Sequence, residues 1–551
     1  MHKFLVLLLA VLTMFSCKSN DENNKQAAKK EVPFVWNGAN LYFLLVDRFN
    51  NGDTSNDINF NRTKTTGKLR GFEGGDIKGI TQKIDEGYFT DLGVNAIWLS
   101  PVVEQIHGAT DEGTGVTYAY HGYWAKDWTA LDPNFGTKDD LKTLVEAAHK
   151  KGIRIVLDAV INHTGPVTDV DKVYPNDWVR TKDNCDYKDY EGTVTCNLVE
   201  NLPDIKTESN DSVALPPLLV EKWKAEGRYD IEVAELDAFF KRTGYPRAPR
   251  FYIIKWLTDY IKEFGIDGYR ADTVKHTESY VWQEFRTECD YAFSQWKKNN
   301  PDEVLDDNPF YLVGEVYNYN ISSGQIFDYG DKQVNFFDHS FHSLINFEFK
   351  SDAKNSYEAT FSKYSKLLDN QLKGFGTLNY VTSHDDASPF DIKREKPYEA
   401  ITKLLLTPGT SQIYYGDETA RPLIIEGTVG DATLRSFMNW DSIQTNEGTK
   451  NLLLHSQKLG RFRANHPAIG AGIHQMITQN PYVFYRSYSK GAYNDLIVIG
   501  LDLPKGIKTL DVSKIFKDGE MLHDAYSNQN VTVSKGNAVI DSEFDIVLLE
   551  K

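Results

Sequence analysis

From residue 40 onward, apolar runs of strand length alternate with amphipathic stretches of helix length. NLYFLLVDRF (40–49), VNAIWLSP (94–101), IRIVLDAVINH (153–163), IDGYRAD (266–272), PFYLVGEV (309–316), GTLNYVTSHD (376–385) and TSQIYYGDE (410–418) read as strands, and VNFFDHSF (334–341) is one further candidate. TKDDLKTLVEAAHKKG (137–152) reads as a helix, with a Thr start and a Gly stop. Eight strand-then-helix units predict an α/β fold of the (β/α)8 TIM-barrel type. The strand runs lack apolar/polar alternation, as expected of strands buried on both faces.

The alternation breaks once and then ends. Residues 164–248 are polar and Pro-containing, and read as a subdomain inserted after the third strand. From about 455 the pattern turns to short strands split by Gly, Asn and Asp, which predicts a C-terminal antiparallel β-sandwich. The expected division is barrel at 36–163 and 249–455, insert at 164–248, and sandwich at 456–551. The first 17 residues, MHKFLVLLLAVLTMFSC, have a basic start and an apolar run too short to span a bilayer as a permanent helix. They predict an export signal. Residues 18–35 begin with a polar run and read as a flexible tether.

In an exported chain, Cys185 and Cys196, flanking the polar loop DNCDYKDYEGTVTCN, predict a local disulfide. A metal site is the alternative, but no His or second Cys pair accompanies them. Cys289 sits in a helical stretch and reads as a buried free thiol. The formal net charge of −17 argues against a nucleic-acid partner, whose phosphates would be repelled.

Many of the predicted strands end in polar residues: Asp47, Asp158, Asn162, Asp272, Glu315, Asp385 and Asp417. In this barrel the site lies at the C-terminal strand ends. GYRADTVKH (268–276) crowds Arg270, Asp272, Lys275 and His276 into one such end. Arg270 points to the same side as Asp272 and can hold it ionised. Any single acid at a strand end is more often structural. Asp272, Glu315 and Asp385 on three different ends, however, suit glycoside hydrolysis. One carboxylate attacks, one moves a proton, and a third stabilises the positive sugar transition state.

DAVINH (158–163), GYRADTVKH, GEV (314–316) and VTSHDD (381–386), in that order, together with LPDI (202–205) in the insert, resemble the motifs of glycoside hydrolase family 13, the α-amylase family. The resemblance implies Asp272 as nucleophile, Glu315 as general acid/base and Asp385 as transition-state stabiliser, with Arg270 orienting Asp272. It places His121, His163 and His384 at the sugar being cleaved, with Tyr123 stacking on it, and Lys275 and His276 at the next sugar. VEQIHG (103–108) and the stretch YAYHGYWAKDWTALDPNFG that follows resemble periplasmic α-amylases of Gram-negative bacteria.

The same resemblance implies Ca2+ at one or two sites. Asn162, Asp204 and the His276 carbonyl would form the first. In DRFNNGDTSND (47–57), Asn51, Asp53, Asn56 and Asp57 would join the Gly74 carbonyl and Asp76 in a second. The alternative is an Asn/Asp/Gly turn that bonds to itself. The signal's end resembles a bacterial lipoprotein signal, with lipid on Cys17. That implies an outer-membrane protein on the periplasmic or cell-surface face, touching membrane only through its anchor. The expected enzyme is a monomeric α-amylase acting on internal α-1,4 bonds of starch or maltodextrin. The alternatives are a glucanotransferase or maltogenic enzyme of the same family, and a non-catalytic starch-binding lipoprotein.

Overall fold

A computed structural model describes residues 32–551. The signal, most of the tether and Cys17 lie outside the described residues. Eight parallel strands close a barrel: β1 (Asn40–Leu44), β2 (Ala96–Leu99), β3 (Arg154–Ala159), β4 (Gly268–Ala271), β5 (Tyr311–Gly314), β6 (Ser343–Asn346), β7 (Gly376–Tyr380) and β8 (Thr410–Tyr414). β1 closes the ring by pairing with both β2 (Leu41 with Ala96) and β8 (Asn40 with Ser411). Every residue of these eight strands is buried, which explains the unbroken apolar runs.

The sixth strand is a correction. VNFFDHSF does not enter the barrel; SLIN at 343–346 does. Asn335 turns the chain by accepting from the Phe337 amide at 2.9 Å, and His339 adopts a left-handed backbone (φ 55°), so the segment cannot extend. ITQKIDEGYFTDLG (80–93), which reads from its sequence as one helix, is instead split by Gly87 (φ 85°) into Ile77–Asp85 and Tyr88–Asp91. Lys138–Lys150 forms as expected, opened by a capping box between Thr137 and Asp140.

The chain enters at the floor of the barrel, where the strands begin. Trp36 stacks on Tyr311 at 3.8 Å, at the start of β5, and its carbonyl accepts from Thr410 Oγ1 at 2.6 Å, at the start of β8. Phe34 lies under the Arg154 guanidinium at 3.6 Å.

The insert holds one short antiparallel pair, Val179–Arg180 with Asp204–Ile205, and a turn of helix, Glu191–Val194, before helices Pro217–Ala225 and Tyr229–Thr243. It joins the barrel through a tryptophan cluster: Trp178 and Trp128 stack on Trp256, and Trp223 meets it edge-on. Cys185 and Cys196 are joined in a disulfide, and Cys289 is buried and free.

The helix Glu447–Asn465 runs through position 455, so the C-terminal sheets begin later than the composition shift suggests, at Ile473. There a six-stranded antiparallel sheet faces the two-stranded pair Gly506–Asp511 and Asn537–Ser542. Alternating residues divide their work: Phe484, Ile497 and Ile499 join the barrel core, while Val483, Val498 and Leu510 pack between the sheets. Among the described residues no helix is long and apolar enough to cross a membrane.

Candidate active site

The ends of β3, β4 and β5 meet around one guanidinium. Arg270 is 1% exposed. Its Nη1 donates to Asp158 Oδ1 at 2.9 Å and to Asp272 Oδ1 at 2.7 Å, and its Nη2 lies 2.9 Å from Glu315 Oε1. Asp158 is further fixed by Trp98 Nε1 (3.1 Å) and the Tyr123 hydroxyl (2.8 Å). Parallel register produces this convergence. Arg270 pairs with Asp158 on one side and with Val313 on the other, two residues before Glu315.

Thr273 follows Asp272 in a left-handed conformation (φ 48°), uncommon for a β-branched residue. That strain turns its amide onto Glu315 Oε2 at 2.9 Å. Glu315 is therefore held at both oxygens. Burial pushes its pKa well above the usual carboxylate range. Arg270 opposes the shift, and Asp272 and Asp385 add to it. Asp385 moves the other way. Burial would raise it, but His384, Arg270, Arg435 and a hydrogen bond from Ser383 Oγ (3.0 Å) outweigh burial and lower it. One acid is thus biased toward its protonated form and another toward its ionised form in the same site.

Asp272, Glu315 and Asp385 line a single cleft of 1260 Å³ with His121, Tyr123, His163, Lys275, His276 and His384. The Tyr123 ring lies parallel to His384 at 5.3 Å. His121 Nδ1 accepts from the Tyr123 amide at 3.0 Å, and His163 Nε2 lies 3.1 Å from the Tyr123 carbonyl. Burial lowers the pKa of all four histidines, His276 and His384 to about 4, so they are neutral at pH 7. Neutral imidazoles can both donate and accept, as sugar hydroxyls require.

Several lining residues were not singled out from the sequence. Tyr187, in the disulfide loop, and Tyr317, two residues after Glu315, present half-exposed rings on either side of Lys275, at 5.7 and 5.1 Å from Nζ. The same loop supplies the Thr193 carbonyl 2.8 Å from His276 Nδ1. On the opposite wall, Arg435 donates to the His384 carbonyl at 2.9 Å and is paired with Asp431. Asp158 stood among the polar strand ends but carried no assigned role. Asp386, beside Asp385, turns away: it is paired with Lys350 and accepts from Tyr380 OH at 2.7 Å.

The two proposed cation sites differ. In the 51–57 loop, Asn51 Nδ2 donates to Asp57 Oδ1 at 2.8 Å, and the buried Oδ1 atoms of Asn51 and Asn56 have no hydrogen-bond partner. Gly74 (φ 90°) closes against this pair: a Cβ there would stand 2.5 Å from Asn51 Nδ2. Asp76 caps Ile77–Asp85 and accepts from the Asp53 amide at 2.7 Å, while Asp53 is paired with Lys78 at 2.5 Å. Orphaned amide oxygens in a tight loop fit a hard cation. At the second place, Asp204 is already paired with Arg180, which also holds Glu208. Asn162 Oδ1 accepts from Thr277 Oγ1 at 3.3 Å. The donors there fit a cation less well. Among the described residues no group of three or more His, Cys, Asp or Glu converges on a metal-sized point.

Residues 43–450 match the family described as alpha amylase, catalytic domain. The periplasmic alpha-amylase of Escherichia coli strain K12 is 36% identical over 518 residues, covering 83% of this chain and 71% of that protein. A cyclomaltodextrin glucanotransferase of Geobacillus stearothermophilus is 28% identical over 529 residues. The match covers 91% of this chain but only 65% of that one. The fold is similar to the alpha-amylase of Geobacillus thermoleovorans, solved in complex with acarbose, with a TM-score of 0.64 at 23% identity, covering 94% of this chain and 100% of that one. With its barrel, its buried acids and more than a third of its aligned residues in common with an amylase, this chain belongs to the alpha-amylase family and is a glycoside hydrolase.

Proposed function

We propose that the protein is an α-amylase that hydrolyses internal α-1,4 bonds of starch or maltodextrin with retention. The observation that carries this reading is the placement of Asp272 and Glu315 on two nitrogens of one guanidinium, with Glu315 held toward its protonated form and Asp385 toward its ionised form. Asp272, beside Arg270, attacks the anomeric carbon. Glu315 gives its proton to the leaving glycosidic oxygen, and a covalent glycosyl-enzyme forms. Glu315, now ionised, takes a proton from water, which displaces the sugar from Asp272. Asp385 faces the positive charge that develops at the ring. The neutral histidines bond sugar hydroxyls, and Tyr123 offers its ring.

A second reading, glucanotransfer, is favoured by Tyr187 and Tyr317. Two exposed rings on the Lys275 side could stack an acceptor sugar that competes with water. The name of the G. stearothermophilus relative points the same way. Calcium, held by Asn51, Asn56, Asp57 and the Gly74 carbonyl, would supply structural cross-linking of the loop. Export is supported by the periplasmic relative, and a lipid on Cys17 would hold the protein to the outer membrane.

The test is proton NMR of fresh products from a long maltooligosaccharide, with Glu315→Gln as the blank. Shorter α-anomeric products absent from the variant support the retaining hydrolase. Chains longer than the substrate support transfer. Sugar binding without turnover in calcium would replace both readings with a non-catalytic binder.

A further inference from the structure

Lys275 reaches into the cleft between the Tyr187 and Tyr317 rings, but its ammonium makes no hydrogen bond or ion pair with any described residue. A long side chain without a partner is only as well placed as the backbone that carries it. On one side, the Val274 amide donates to the Glu315 carbonyl at 2.9 Å, which anchors the segment to the site itself. On the other, the Lys275 carbonyl accepts from the Tyr329 hydroxyl at 2.8 Å, and Tyr329 lines no part of the cleft.

Tyr329 stands in the turn of a hairpin that pairs Phe327–Asp328 with Gln333–Val334. The same turn grips the disulfide loop. Asp331 accepts from the Tyr190 amide at 2.8 Å, the Tyr190 ring meets Tyr329 edge-on at 5.0 Å, and Lys332 Nζ lies 3.5 Å from the Tyr190 ring centroid. Tyr190 precedes the helical turn Glu191–Val194, and its carbonyl accepts from the Thr193 amide at 3.1 Å. The Thr193 carbonyl in turn meets His276 Nδ1. One hairpin therefore reaches two adjacent cleft residues by separate routes: directly to Lys275, and through Tyr190 and Thr193 to His276. Tyr329, Asp331 and Tyr190 make no bond to Asp272, Glu315 or Asp385.

In the proposed mechanism Lys275 and His276 lie on the leaving side of the bond that breaks, where the departing sugar sits and where an acceptor sugar would return. In transfer, a sugar hydroxyl takes the place of water: its oxygen bonds to the anomeric carbon, the bond to Asp272 breaks, and its proton passes to Glu315. A sugar needs a shaped binding place there and water does not, so a loosened rim weakens sugars and spares water. We infer that Tyr329 and Asp331 are positioning residues, which act through Lys275 and the disulfide loop to hold sugars on the leaving side and so set the balance between transfer and hydrolysis. The inference rests on the proposed reading of the cleft.

The probes are maltoheptaose and maltotriosyl α-fluoride, whose leaving group is a fluoride ion and fills no sugar place on that side. Tyr329→Phe keeps the ring and removes only the hydroxyl. Asp331→Ala removes the acceptor for the Tyr190 amide, and Asp331→Asn restores one. Tyr329→Phe and Asp331→Ala should each raise KM for maltoheptaose by about threefold or more, as loss of one hydrogen bond does. With maltose added as acceptor, the ratio of transfer to hydrolysis products should fall by a similar factor. Fluoride release without maltose should stay within about twofold of wild type, and Asp331→Asn should behave as wild type. In protein carrying Cys185→Ser and Cys196→Ser, Asp331→Ala should add nothing, because both act through one loop, while Tyr329→Phe should still act. KM and product ratio unchanged in both variants overturn the inference. So does a loss of fluoride release as large as the loss on maltoheptaose, which marks a merely structural role. Failure of the cleft reading shows separately, as wild-type protein that turns over neither probe.

Discussion

Asp272 and Glu315 are bonded to the two terminal nitrogens of one guanidinium, at 2.7 and 2.9 Å, with Asp158 as its third acidic partner. Arg270 thus sets the relative position of the proposed nucleophile and the proposed acid. Arg270→Lys keeps the charge but loses the fork. It should lower kcat by on the order of 100-fold, as loss of a preorganised charge partner does. Arg270→Leu leaves buried acids unpaired and should cost about 3–5 kcal/mol in urea unfolding.

Glu315 has a folded-state pKa raised above its unfolded value. As pH rises past the ordinary carboxylate range, the unfolded chain releases this proton while the folded chain retains it. Stability is therefore full at low pH and is lost as pH rises toward the folded value. Glu315→Gln should be inactive, yet melt at a higher temperature than wild type at pH 8. The difference should vanish below about pH 4, where the unfolded carboxyl is protonated too. Calorimetry at the two pH values gives the answer. An equal shift at both would mean that ionisation plays no part.

Calcium should raise the melting temperature relative to chelator, and Asn56→Ala or Asp57→Ala should at least halve that rise. Asp204→Asn should instead lower stability alike in calcium and in chelator, because it removes one of the two carboxylates that pair with Arg180. A calcium shift lost in Asp204→Asn would move the cation to the other site.

The disulfide loop holds both Tyr187 and the Thr193 carbonyl against the residues after Asp272. Paired Cys185→Ser and Cys196→Ser substitutions should raise KM for maltoheptaose by roughly threefold to tenfold with kcat nearly unchanged, about 1 kcal/mol of lost positioning. Tyr187→Ala should lower the ratio of transfer to hydrolysis products. If transfer survives, the ring is not an acceptor platform.

His466 bridges the barrel's last helix and the C-terminal sheet, with Nδ1 2.8 Å from Asp495 and Nε2 2.6 Å from Glu550. Burial would lower its pKa, but the two carboxylates outweigh burial and raise it to about 9. A raised histidine contributes stability that is full below its unfolded value and lost as pH rises through about 9. The unfolding free energy should therefore fall by about 3 kcal/mol between roughly pH 6 and pH 10. His466→Gln should flatten that decline.

The barrel was legible because buried parallel strands write themselves as apolar runs. SLIN escaped notice because four residues between aromatic-rich turns leave no run to see. The motif acids were legible for a different reason: each closes a strand. Asp158 was visible as a strand end, but its bonds to Trp98, Tyr123 and Arg270 depend on register between three strands. Tyr187 comes from the disulfide loop and Asp431 and Arg435 from the short helical segment Gly430–Arg435, and no periodicity links either stretch to its place in the cleft. The partnership of Asp204 with Arg180 was hidden likewise. Arg180 and Asp204 are 24 residues apart and meet as register partners of two-residue strands too short to leave a pattern in the sequence.

Trp36 fills the floor of the barrel, and the cleft opens at the opposite rim. Val32, the first described residue, therefore lies on the side of the barrel away from the chemistry, near Arg154 and Arg463. A bead, a fusion partner or a membrane joined through that end would leave the mouth directed outward, open to a strand of polymer too large to thread past the point of attachment.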